Sequence, residues 1–189
     1  MIVFEDKKLV ILTPPHTASG NTHRALCSVP LGGVWAIGQT PDRFGFDHHV
    51  MQVAEGWSDF TVAVVVRHPL DRLIGLYEHH QHAASKRTDW PLLPWWLFVA
   101  MVLANHPDLS WFYRMTIGEL LGNQKIDRVI RYESLGSDLS DLLGEPVELL
   151  PGNDNARDLS AYYAQIGPCC QAEWWGRDDM ERFGYKSVF

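Results

Sequence analysis

Residues 61–77 read TVAVVVRHPLDRLIGLY. The first six are continuously apolar and mostly β-branched, as in a strand buried on both faces. Pro69 suits the first turn of a helix, and Leu70, Leu73, Ile74 and Tyr77 then share one helical face. A buried strand feeding straight into a helix implies a parallel sheet covered on both sides. Ligands in such sheets sit beyond the carboxyl ends of the strands. Arg67 stands at that end, where a guanidinium can grip a phosphate with two parallel hydrogen bonds. Arg72 lies further round the helix. The competing reading for both is an ordinary surface pair with Asp71 or Glu78.

Upstream, Leu9 to Leu12 is a second short apolar run, stopped by Thr13-Pro14-Pro15. It reads as a strand with a sharp exit. The exit, TPPHTASGNT (residues 13–22), is rich in small residues, and Thr22 to Val29 reads as a helix. Small residues let backbone N–H groups converge on one anion at a helix N-terminus. Thr17, Ser19, Asn21 and Thr22 offer side-chain donors. The Walker pattern GxxxxGK[ST] is absent. Taken alone, the segment equally fits a capped helix after a strand.

Further helices are expected over Asp47 to Glu55, Pro94 to Asn105, Ser134 to Leu143, Asp158 to Gln165 and Pro168 to Phe183, with a strand over Ile126 to Ile130. The stretch Pro91 to Ala104 is apolar but shorter than the ~20 residues a bilayer span needs. The chain has 189 residues and a net charge of −7. It fits a single domain over 1–189, shows no basic face for nucleic acid, and carries no secretory or membrane-spanning signal. Its cysteines (Cys27, Cys169 and Cys170) form no disulfide framework or CxxC pair, which suits a reducing, cytoplasmic setting.

The order of these motifs resembles the sulfotransferase family. Pro15-His16-Thr17-Ala18-Ser19 is similar to that family's PKTAS-type loop, and RHPLDRLIGLY to its RxPxxRLxxxY segment. Val129-Ile130-Arg131-Tyr132-Glu133-Ser134-Leu135 is similar to its late strand, and Asn153 to Arg157 and Asp179 to Tyr185 to tail segments. The resemblance implies a three-layer P-loop-type α/β fold with a central, mostly parallel sheet flanked by helices. It implies 3'-phosphoadenosine 5'-phosphosulfate (PAPS) as donor. Pro15, His16, Thr17, Ala18, Ser19, Gly20, Asn21 and Thr22 would grip the 5'-phosphosulfate; Arg67, Arg72 and Gly75 would line the 3'-phosphate site. The acceptor would carry a hydroxyl, on a carbohydrate or a small molecule, and no metal is required.

Two departures stand out. His16 replaces the family's loop lysine, and an imidazole with a pKa near about 6.5 is only partly charged at neutral pH. Arg24 could supply some of that charge. Gly75 replaces the family's serine, so one phosphate contact is lost or taken over by Ser19. Transfer to a hydroxyl also needs a proton acceptor. The GFDHHV segment resembles the GHV-type stretch of carbohydrate 2-O-sulfotransferases, which makes His49 the first candidate base and His48 the second, with His16 assisting at the leaving group. Packing or capping is the ordinary alternative for either histidine.

Other clusters read as structural. Glu78-His79-His80-Gln81-His82 lacks an HExxH pattern and is expected as a solvated helix end or as acceptor contacts. Trp90, Trp95, Trp96, Trp111, Phe112 and Tyr113 read as core before they read as a sugar platform. Trp174 and Trp175 are expected to pack inside the closing helix. Two rival functions remain: a P-loop kinase-like phosphotransferase, which lacks a loop lysine and a placed carboxylate, and a non-catalytic family member that binds without turnover.

Overall fold

A computed structural model describes residues 1–28, 34–36, 51–53, 55–86, 91–149 and 159–189. His48, His49, Trp90 and Asn153 to Arg157 lie outside the described residues, as do five of the nine residues of the helix expected over Asp47 to Glu55; of the rest, Met51 to Val53 are not helical and Glu55 opens a single 3-10 turn, Glu55–Trp57. The chain divides into two compact units, Met1–Arg67 with Leu120–Ala156 and His68–Glu119 with Arg157–Phe189.

The first unit is an α/β structure on a five-stranded mixed sheet. Strands β1 (Ile2–Phe4), β2 (Leu9–Leu12), β3 (Val34–Ala36), β4 (Thr61–Val66) and β5 (Arg128–Arg131) lie in the order β3-β1-β2-β4-β5. β2, β4 and β5 run parallel, with Leu12 opposite Val64 and Val66 opposite Arg131. β1 is antiparallel to both β2 and β3. The expectation of a mostly parallel sheet is corrected in that half. A four-residue turn separates β1 from β2, and a connection that short joins only antiparallel strands.

Val62 to Val66 are all buried, so β4 is covered on both faces. On one face, Ala63 and Val65 join Ile2, Phe4, Leu9, Ile11 and Ile130 against two helices. These are α1 (Ser19–Ser28), through Ala25 and Leu26, and α6 (Leu135–Leu143), through Leu135, Leu139 and Leu143. Each such side chain contributes roughly 1.5–3 kcal/mol on burial. Asp138 Oδ2 accepts the backbone N–H of Arg131 at 2.8 Å and ties β5 to α6.

The second unit is helical. α2 (Pro69–Ala84), α3 (Trp95–Leu103), α4 (Trp111–Arg114), α7 (Ser160–Tyr163), α8 (Ile166–Trp175) and α9 (Arg177–Phe183) belong to it, with the first turn of α5 (Ile117–Leu121). Leu70, Leu73, Ile74 and Leu76 of α2 pack with Trp95, Phe98, Phe112, Tyr113, Cys169 and Ala172. The expected single closing helix is two, broken at Gly176. A Cβ there would stand 2.1 Å from Pro69 Cβ, so only glycine fits. Trp174 is 63% exposed rather than packed, with the Arg177 guanidinium 5.5 Å from its ring. Among the described residues no helix is long and apolar enough to cross a membrane.

Candidate functional site

β2 and β4 are adjacent and parallel, so Thr13 and Arg67 leave the sheet at the same edge. The turn after β2 is tied to itself. Pro14 O accepts the Thr17 backbone N–H at 3.3 Å and the Thr17 hydroxyl at 2.8 Å. Ala18 O accepts the Thr22 backbone N–H at 2.9 Å and its hydroxyl at 3.0 Å. Between these knots the backbone turns left-handed at His16 (φ 62°) and again at Ala18 (φ 70°). A non-glycine residue there costs roughly 1–2 kcal/mol. Such strain persists where the surroundings hold it, often at a binding site.

The result is a short concave run of backbone ahead of α1. The N–H groups of Ala18, Ser19 and Gly20 have no acceptor among the described residues. A Cβ built on Gly20 would meet nothing within 4 Å, so the space beside it is open. Consecutive free amides at the start of a helix favour an anion. The side-chain donors divide differently from the sequence reading. Thr17 and Thr22 are fully buried and spend their hydroxyl protons on the loop's own carbonyls, because those carbonyls are the nearest acceptors. They stiffen the loop instead of facing a ligand. Asn21 Oδ1 accepts from exposed Arg24. The Ser19 hydroxyl makes no hydrogen bond among the described residues. Pro15 is buried and His16 half-buried. Thr13 Oγ1 lies 3.4 Å from Nε2 of buried His23, pinning the strand exit to α1.

Arg67 is 5% exposed, and its Nε has no hydrogen-bond partner. No hydrogen bond or ion pair reaches its guanidinium among the described residues. It rests 4.2 Å above the centre of the Tyr132 ring. That contact is worth about 2 kcal/mol when desolvated. Among the described residues this buried cation has no anion beside it, and an unpaired buried charge is costly. Tyr132 falls in the late-strand motif, where no spacing rule gives it a role. The signal is the register: Val66 opposite Arg131 sets the following residues, 67 and 132, side by side.

Arg72 is 1% exposed, and its Nη1 donates to Met115 O at 2.8 Å. Its guanidinium lies 5.8 Å from the Trp175 ring, and its charge acts on Asp179. These contacts engage it inside the helical unit. Asp179, 2% exposed, accepts the N–H groups of Ile117 at 2.6 Å and Gly118 at 2.7 Å. Burial pushes its carboxyl above the usual range, against the pull of those N–H groups, Arg72 and Arg182. Gly75 is a buried position of α2.

The histidine-rich stretch is solvated at His79 and His82 but not at His80. His80 is 3% exposed, its Nε2 is 3.1 Å from Pro91 O, and burial holds its pKa below the ordinary value. His79 Nδ1 lies 3.3 Å from the Tyr113 hydroxyl. Among the described residues no three His, Cys, Asp or Glu side chains gather as a metal site would need. A cavity of about 300 Å³ beside β5 is lined by Arg128, Val129, Ile130, Asp138, Asp141 and Leu142 and touches none of the loop residues. No family model matches the chain, and neither does any curated protein or solved structure.

Proposed function

We propose that this chain is a sulfotransferase of three-layer P-loop type that moves sulfonate from PAPS to a hydroxyl acceptor, such as a carbohydrate. The observation that carries the reading is Arg67: buried, seated on Tyr132 and, among the described residues, without an anionic partner, beside a strand whose exit loop offers amides with no acceptor among those residues. Two anion-seeking groups on neighbouring parallel strands suit a nucleotide with separate phosphates. The resemblance of the loop, the RHPLDR segment and the late strand adds the identity of that nucleotide.

The acceptor oxygen attacks sulfur in line. The bond between sulfur and the bridging oxygen breaks, His49 or His48 takes the acceptor proton, and adenosine 3',5'-bisphosphate leaves. Charge growing on the departing phosphate meets the free amides of Ala18, Ser19 and Gly20, with His16 assisting. Most of the rate then comes from positioning and electrostatics, as in phosphoryl transfer.

The second reading is a binder without turnover, favoured by His16 and Gly75. Titration with adenosine 3',5'-bisphosphate against ATP plus magnesium tests nucleotide class. Transfer of radiolabelled sulfonate to glycans, phenols and alcohols separates enzyme from binder. Binding of neither nucleotide removes the proposal. His49→Ala should abolish turnover while leaving bisphosphate affinity within about twofold.

A further inference from the structure

His68 stands between Arg67 and Pro69 and is 7% exposed. Its Nδ1 accepts the Leu70 backbone N–H at 3.3 Å, so the ring caps the start of α2. A backbone N–H can only donate, so Nδ1 is bare and Nε2 carries the proton. Nε2 lies 3.1 Å from Lys186 O and 3.9 Å from Glu173 Oε1. The same carboxylate holds the following residues: Oε2 accepts the Ser187 hydroxyl at 2.6 Å, and Oε1 the Val188 N–H at 2.9 Å. Tyr185 packs edge-on against the His68 ring at 5.4 Å. Both ring nitrogens of His68 are therefore engaged; Glu173 acts on the ring indirectly, by holding Ser187 and Val188 next to the Lys186 carbonyl that Nε2 meets.

Arg67 needs such support. Its side chain makes no hydrogen bond of its own among the described residues; the Tyr132 face is its only seat there. A free arginine carries ~2 kcal/mol of rotamer entropy, which weakens any grip it makes. Its backbone is fixed on one side by the β4 register, ending at Val66 opposite Arg131. On the other side the next residue is His68, held at both nitrogens. We propose that Glu173 and His68, clasped by residues 185–188, are positioning residues that hold the backbone beside Arg67 and pre-set it for an anion. The anion role of Arg67 rests on the sulfotransferase reading; the clasp does not.

The test reads Arg67 directly, in full-length protein labelled with ¹⁵N-arginine and without nucleotide. Solvent exchange of the Arg67 Nε proton should rise at least tenfold in Glu173→Gln and about threefold in Ser187→Ala, while exchange at exposed Arg128 stays constant. His68→Asn separates capping from clasping. Asparagine is a good N-cap but cannot reach Lys186, so it should recover the thermal midpoint lost in His68→Ala without recovering slow Arg67 exchange. Adenosine 3',5'-bisphosphate should bind Glu173→Gln three- to tenfold more weakly than wild type. Exchange within twofold of wild type in both Glu173→Gln and Ser187→Ala overturns the inference, as does full recovery by His68→Asn. Ser187 is exposed, so its variant serves even where Glu173→Gln does not fold. Wild type that binds no bisphosphate sinks the sulfotransferase reading instead, and the exchange rates still decide the clasp.

Discussion

Arg67 and Arg72 stand five positions apart in one motif, both are buried, and they live in opposite circumstances. The region around Arg72 is closed on itself. Met115 O accepts a hydrogen bond from it, Trp175 lies near its guanidinium and its charge favours the ionised form of buried Asp179. The region around Arg67 is left open in chemical terms, with an aromatic face beneath the guanidinium and no acceptor among the described residues. Burying an arginine is therefore not in itself a sign of function. What separates the two is the partners that the described residues supply: Arg72 has the Met115 carbonyl and lies within the field of Asp179, whereas Arg67 has the Tyr132 ring and no hydrogen-bond acceptor among them.

The strongest way to break this contrast is to remove each arginine and compare stabilities. Arg72→Met removes the hydrogen bond to Met115 O and a cation that favours the charged form of buried Asp179; losing a hydrogen bond made by a charged group costs about 1.5–3 kcal/mol. Urea unfolding should show a correspondingly lower midpoint. Arg67→Met removes a cation that has no ionic or hydrogen-bond partner among the described residues, so the same measurement should show no loss beyond about 1 kcal/mol. Equal destabilisation by the two substitutions would show that Arg67 is as structurally committed as Arg72.

The second comparison uses ligand. A charge-assisted hydrogen-bonding contact is worth about 1.5–3 kcal/mol, which corresponds to roughly 10- to 150-fold in affinity. Arg67→Met should weaken adenosine 3',5'-bisphosphate by that factor in calorimetric titration. Arg72→Lys keeps a charge inside the helical unit and should change affinity less than threefold. Similar losses from both would return Arg72 to the binding surface, where the motif resemblance put it.

Much of this contrast was beyond the reach of sequence. β2, β4 and the start of α2 were legible at their observed bounds, because continuous β-branched runs and Pro69 are local signals. The β1 hairpin was hidden. Its turn is Glu5-Asp6-Lys7-Lys8, with the left-handed position filled by Lys8 (φ 47°) instead of glycine or asparagine, so no turn signal marks it. The loop after β2 is legible as a small-residue turn ahead of α1, but the inward bonding of the Thr17 and Thr22 hydroxyls is not. Whether a hydroxyl faces inward depends on which carbonyl the turn brings near it. Arg72 looked like Arg67 because its partners, Met115 and Asp179, are 43 and 107 positions further along, and no spacing rule joins them. Tyr132 and Glu173 become meaningful only once register and packing are fixed.

The mildest test stays on α2 and concerns His80. Its ring is buried against Phe98 and Tyr113, and its Nε2 faces Pro91 O. Burial lowers its pKa, with the contact to Pro91 pulling the other way. The folded chain therefore takes up this proton at lower pH than the unfolded chain, which titrates near about 6.5. Above that value His80 is neutral in both states and adds no pH slope. As pH falls below it, the unfolded chain gains a proton that the folded one resists, so stability declines until the folded ring also protonates. His79 shifts in the same direction, through burial and then its neighbours His82 and His80. Its ring is more open to water, so its share is smaller. Denaturant midpoints should be flat from pH 8 to 7 and fall between pH 6.5 and 5. His80→Gln should lower the midpoint at pH 7.5 and flatten the acid limb. Saturating bisphosphate should lift the whole curve without moving the pH at which it bends, because His80 belongs to the closed region and not to the anion-seeking one. A bend that moves with ligand would tie the helical interior to the binding chemistry and erase the distinction between the two arginines' surroundings.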